Sequence, residues 1–120
     1  MDKKRYKVVV TPFAEAALEQ YDDYLRLELF SNQAADARLE LFEREAASLS
    51  FFPEKHPLME REPWRSEGVR CRAVKGLNIY FWINGDRMKV YIIDVVSQRM
   101  DQDKRLLKAL FAFYDENEKK

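Results

Sequence analysis

The chain has 120 residues, 47% hydrophobic and 35% charged, with three glycines and four prolines. This composition excludes collagen-like, low-complexity and disordered classes, and the length suits one domain over residues 1–120 with a single fold. Net charge is zero, yet residues 1–60 carry 8 basic and 12 acidic side chains and residues 61–120 carry 13 and 9. The basic second half points to an anionic partner. No apolar run approaches the ~20 residues of a membrane span. Met1-Asp2-Lys3-Lys4-Arg5 has the charge of a signal peptide with no apolar stretch behind it, so a cytoplasmic location without a membrane partner is expected. One cysteine, Cys71, and one histidine, His56, exclude an internal disulfide and a Cys/His zinc site, and no metal or other cofactor is expected.

Tyr6 to Val10 reads as a strand. Thr11-Pro12 marks a helix start, with Thr11 as cap and Pro12 at the first helical position. Ala14, Leu18, Tyr21 and Leu25 form one apolar stripe of a helix running to about Phe30. Ser31-Asn32 offers a second cap, and Ala35, Leu39, Phe42, Ala46 and Leu49 continue at helical spacing, so two antiparallel helices form an αα-hairpin. Phe51-Phe52-Pro53 ends the second helix. A long connection punctuated by Pro57, Pro63 and Gly68 follows, with Trp64 packing it down.

Val69 to Val74 alternates Val69, Cys71 and Ala73 against Arg70 and Arg72. Leu77 to Ile83 and Met88 to Val96 flank Asn84-Gly85-Asp86, a hairpin signal. One face holds Leu77, Ile79, Phe81, Ile83, Met88, Val90 and Ile92. The other holds Asn78, Tyr80, Trp82, Lys89, Tyr91 and Ile93. Asp101 to about Glu116 closes the chain as a helix with a stripe of Leu107, Leu110, Phe111 and Tyr114. The predicted class is α+β: an antiparallel sheet of an N-terminal strand plus a three-strand meander, an αα-hairpin on one face and a C-terminal helix.

Chemistry concentrates on the sheet face expected to lie away from the hairpin, where Arg70, Arg72 and Lys89 accompany Tyr80, Trp82 and Tyr91, with Arg99 just beyond the last strand. Guanidinium forks suit phosphates and flat rings suit unpaired bases, which makes an anion or single-stranded RNA site one reading. A second small core under the last helix is the other. His56 reads as a solvated loop residue, and Asp94 as an inward strand residue that pairs with an arginine or caps the sheet's end. No phosphate-cradling glycine loop, nucleophile elbow or metal cluster occurs.

The element order and several motifs resemble the RelE/ParE toxin family of type II toxin–antitoxin systems over nearly the whole chain. They are Tyr6-Lys7-Val8-Val9-Val10-Thr11-Pro12-Phe13-Ala14-Glu15, Gln33-Ala34-Ala35, Phe52-Pro53, Gly68-Val69-Arg70-Cys71-Arg72, Ile79-Tyr80-Phe81-Trp82-Ile83 and Ser97-Gln98-Arg99-Met100-Asp101. The resemblance implies a toxin neutralised by a cognate acidic antitoxin, and the family has two branches. In the RelE-like branch, a ribosome-dependent mRNA endoribonuclease, Arg70, Arg72 and Arg99 match the basic catalytic positions, Arg70 and Arg72 after one gap. Asn78 stands where that branch has an arginine, and the C-terminal tyrosine position falls near Arg105. The ParE-like branch inhibits DNA gyrase, as in plasmid stabilisation modules, and has no nuclease chemistry. The long hairpin and the incomplete nuclease set favour it. A non-toxic, degenerate binding module is the remaining alternative. Arg61, Arg65, Tyr80, Trp82 and Tyr91 are the expected partner-binding residues in either branch. Nothing in the sequence sets the oligomeric state.

Overall fold

The computed structural model describes residues 5–97 and 108–114. Strand β1 (Lys7–Val10) leads into helix α1 (Pro12–Asp23). The Thr11 hydroxyl accepts the Ala14 N–H at 3.3 Å and donates to the Ile92 carbonyl at 3.0 Å, so one side chain caps the helix and ties it to the sheet. The run predicted to about Phe30 is helical as far as Glu28, and its last turn, Tyr24–Glu28, is a π-helix, closed by Leu29 N–H donating to the Tyr24 carbonyl. Helix α2 (Asn32–Ser48) starts at Ser31, whose hydroxyl accepts the Ala34 N–H at 3.1 Å. It ends at Ser48, capped by Leu49, and Phe52 then takes a positive φ ahead of a short 3-10 turn, Pro53–Lys55. Strands β2 (Val69–Val74), β3 (Leu77–Asn84) and β4 (Lys89–Ser97) follow the predicted runs closely, and residues 108–114 form helix α3. Among the described residues no helix is long and apolar enough to cross a membrane.

The sheet order is β1-β4-β3-β2, antiparallel throughout the meander, with β1 at the edge and parallel to β4. Its two faces carry two cores. Ile79, Phe81, Val90 and Ile92, fully buried, meet Ala14 of α1 and Leu41, Phe42 and Ala46 of α2. Tyr80, Ile93 and Val96 meet Trp64 from the long connection and Leu110 and Phe113 of α3. Burying both faces removes far more apolar surface from water than one face would.

Several expectations need correction. Leu39 is 43% exposed, and Leu41 takes its place in the core. Helix α3 buries Ala109, Leu110 and Phe113 and turns Phe111 outward, while Leu107 lies outside the described residues. Met88 sits in the hairpin turn at φ 52 rather than in the strand. A bulge also breaks the alternation of β4: Tyr80 pairs with Asp94 and Phe81 with Ile92, leaving Ile93 extra. This puts Asp94 opposite Tyr80 and turns Val95 into the hairpin core. Asp94 is fully buried and its Oδ1 accepts the Val95 N–H at 2.9 Å.

Candidate functional site

The placement of Arg70 and Arg72 decides what the site can be. The two-residue turn Lys75-Gly76 pairs Val74 with Leu77, so Arg72 lies opposite Ile79 and Arg70 opposite Phe81. Both arginines therefore share the hairpin-side face, and the expected opposite face is incorrect. That expectation puts the apolar alternates Val69, Cys71 and Ala73 on the hairpin side. In fact β2 is an edge strand, and Val69 and Cys71 pack into the second core beside Trp64. Burial pushes the Cys71 thiol up to about 11, which favours the neutral thiol over the thiolate at neutral pH.

On the hairpin side the arginines meet protein acceptors. Arg70 Nη1 donates to the carbonyls of His56 at 2.7 Å and Glu54 at 3.3 Å, pinning the loop after α2. The loop also pairs with the edge of β2, where Met59 N–H donates to the Val69 carbonyl and Cys71 N–H to that of Pro57. Arg72 Nε donates to Glu45 Oε1 at 2.8 Å, an ion pair joining β2 to α2. His56 is not the solvated side chain expected. It is half-buried, its ring sits edge-on to Phe81 with centroids 5.9 Å apart, and its Nε2 is buried with no hydrogen-bond partner among the described residues. Its pKa is lowered, first by burial, then by the charges of Arg72, Lys55 and Arg70, with Glu45 acting against them. The result is a cluster of Glu45, His56, Arg70 and Arg72 with a neutral imidazole. Glu45 was missed because it lies 27 residues from Arg72 and no local pattern marks it.

The opposite face is packed rather than open. Tyr80 is 2% exposed. Trp82, Tyr91 and Phe113 form a ring cluster with centroids 5.2–6.1 Å apart, and Trp82 and Tyr91 remain half-buried. Of the two readings of these rings, the structure supports the second small core, beneath α3. Tyr114 on α3 donates to Glu67, and burial with that contact pushes its hydroxyl up to about 12. Asn78 lies on this face and donates from Nδ2 to the Tyr80 hydroxyl at 3.1 Å, away from the arginines. Arg61 and Arg65 are exposed on the connection either side of buried Trp64. Arg99 and Arg105 lie outside the described residues.

No family model matches the sequence, and no curated protein matches it. Solved structures do match. A chain of the toxin–antitoxin complex RelBE2 from Mycobacterium tuberculosis aligns at TM-score 0.57 and 18% identity, over 80% of this chain and 94% of that one. A chain of the chromosomal ParDE toxin–antitoxin system from P. aeruginosa aligns at TM-score 0.60 and 18% identity, over 78% and 97%. With the four-strand sheet, the αα-hairpin and the C-terminal helix, these likenesses show that the chain has the RelE/ParE-like toxin fold.

Proposed function

We propose that this chain is the toxin of a type II toxin–antitoxin module and that it inhibits DNA gyrase in the ParE-like manner. The observation that carries the choice of branch is the engagement of Arg70 and Arg72. A ribonuclease built on these positions needs guanidiniums presented to a scissile phosphate. Here Arg70 holds loop carbonyls and Arg72 is paired with Glu45. The fold shared with the two toxin–antitoxin complexes supports the module class. The cognate antitoxin is acidic on this reading. Exposed Arg61 and Arg65 supply charge attraction, and the accessible parts of half-buried Trp82 and Tyr91 supply apolar contact, whereas Tyr80, expected among the partner-binding residues, is buried in the core and supplies none.

One observation favours the second reading, ribosome-dependent mRNA cleavage. The imidazole of His56 lies in the same cluster as the two arginines, and burial favours its neutral form, the form a general base needs, although its Nε2 is buried in this structure. The resemblance matches Arg99 to a further basic position of that branch. Supercoiling by purified gyrase and cleavage of mRNA on programmed ribosomes, each measured with the purified chain, separate the readings. Lost supercoiling, with filamentous cells and a DNA-damage response on expression, is the expected result. Intact supercoiling with cut mRNA would establish the endoribonuclease instead. Harmless expression with neither effect would leave a non-toxic binding module.

A further inference from the structure

The tip of the αα-hairpin is apolar and exposed. Phe30 is 87% exposed, Leu27 67%, Leu29 53% and Tyr24 48%. They follow one another within seven residues at the turn, a concentration of exposed apolar side chains of the kind that marks interaction sites. Two features show that this is a built surface rather than a frayed end. The π-turn Tyr24–Glu28 is closed by Leu29 N–H donating to the Tyr24 carbonyl, and Ser31 N–H donates to the Leu25 carbonyl at 2.9 Å, so the end of the helix is hydrogen-bonded. Phe30 is then held at φ 53, a left-handed conformation that costs a non-glycine residue energy. One arginine also ties the two helices together next to the tip. Arg26 donates from Nε to Asp22 at 2.9 Å, from Nη2 to Asp36 at 2.6 Å and from Nη1 to Asn32 at 3.4 Å, so one guanidinium joins both helices across the turn.

The charge around the patch selects the partner. Positions 22–36 carry four carboxylates and one arginine, and over positions 12–48 the hairpin carries nine and three. Arg26 is committed to Asp22 and Asp36. Asp23 and Glu28, directly beside Tyr24, Leu27 and Leu29, are exposed. Such a rim repels acidic proteins and anionic membranes and attracts lysine and arginine. A second copy of the chain is a poor occupant. Two tips would bring like charge together.

We propose that the hairpin tip formed by Tyr24, Leu27, Leu29 and Phe30 is a docking surface for a cationic amphipathic helix of a partner protein. Apolar residues of that helix pack on Phe30 and Leu27 while its lysines or arginines reach Asp23 and Glu28. The surface stands on the hairpin alone and does not depend on the toxin reading.

The test uses two model helices of 14 residues with the same leucine face, one with lysine and one with glutamate on the polar face. Each is titrated into the full chain and followed by amide chemical shifts. The leucine–lysine helix should shift residues 22–39 and bind at least tenfold more tightly than its glutamate twin. Leu27→Ser with Phe30→Ser should weaken it at least tenfold with an unchanged melting temperature, since both side chains are mostly solvated. Asp23→Lys with Glu28→Lys should reverse the preference between the helices. The proposal is overturned if the twins bind equally, if the shifts map away from the tip, or if the serine variant binds as well as the parent. It is also overturned if the chain dimerises with concentration and the serine variant does not.

Discussion

Replacing Arg72 by Ala, alone and together with Glu45→Ala, tests whether this arginine holds the protein together or serves a ligand. The Nε–Oε1 distance is 2.8 Å, and the side chains are 36% and 17% exposed. Fully exposed pairs contribute ~0.2–1 kcal/mol, and hydrogen bonds to charged groups ~1.5–3 kcal/mol. Solvent reaches Arg72 and screens the attraction, so we expect a coupling of ~1 kcal/mol from the double-mutant cycle. Arg72→Ala alone should cost more, ~1–2 kcal/mol, because it leaves a largely buried carboxylate without its cation. With a urea slope of ~1–3 kcal/mol/M, a 1 kcal/mol change moves the unfolding midpoint by about 0.5 M, well within measurement. The companion assays are gyrase supercoiling and mRNA cleavage. If Arg72 is structural, Glu45→Ala and Arg72→Ala lose stability together and activity follows the folded fraction. A coupling below ~0.3 kcal/mol, with activity abolished at full stability in Arg72→Ala alone, would refute the reasoning and mark Arg72 as a ligand-binding group.

Phe81→Ala should cost ~3–5 kcal/mol in urea unfolding and Trp82→Ala only ~2 kcal/mol, because Phe81 is wholly buried and Trp82 half so; the reverse order would contradict the placement of the main core on the hairpin side. His56 has a folded pKa below its ordinary 6.5. The unfolded chain therefore binds the proton more readily, and this residue's contribution is present at neutral pH and lost as pH falls through 6.5 toward the folded value. Stability measured from pH 8 to pH 5 should drop more steeply in the parent than in His56→Gln, and equal slopes would show that the imidazole is freely solvated. Gly68 has φ +82, and a Cβ there would lie 3.2 Å from Trp82 Nε1 and 3.3 Å from its Cδ1. Gly68→Ala should cost at least ~1 kcal/mol and change the tryptophan emission, whereas an unchanged emission and midpoint would mean the indole yields freely.

The sequence alone carried the elements and both faces of β3, because strand alternation and helix caps are short-range. Thr11 and Ser31 cap the helices they were assigned, and Phe81 and Trp82 fall on the predicted sides. Even the side taken by Arg70 and Arg72 was within reach, since a two-residue Lys75-Gly76 turn pairs Val74 with Leu77 and carries the parity of β3 into β2. The error lay in assuming that the apolar side of an edge strand must meet the hairpin, when a second core under Trp64 was there to take it. The bulge at Ile93 and the π-turn at Tyr24 each insert one residue into a regular pattern, and only neighbouring elements make such an insertion favourable. The candidate site was the least legible part. Its acid, Glu45, and its imidazole, His56, come from a helix and a loop that local patterns place independently of β2. The sequence supplied the charges, but tertiary packing chose which of them meet, because an ion pair between residues 45 and 72 depends on chain closure and not on spacing.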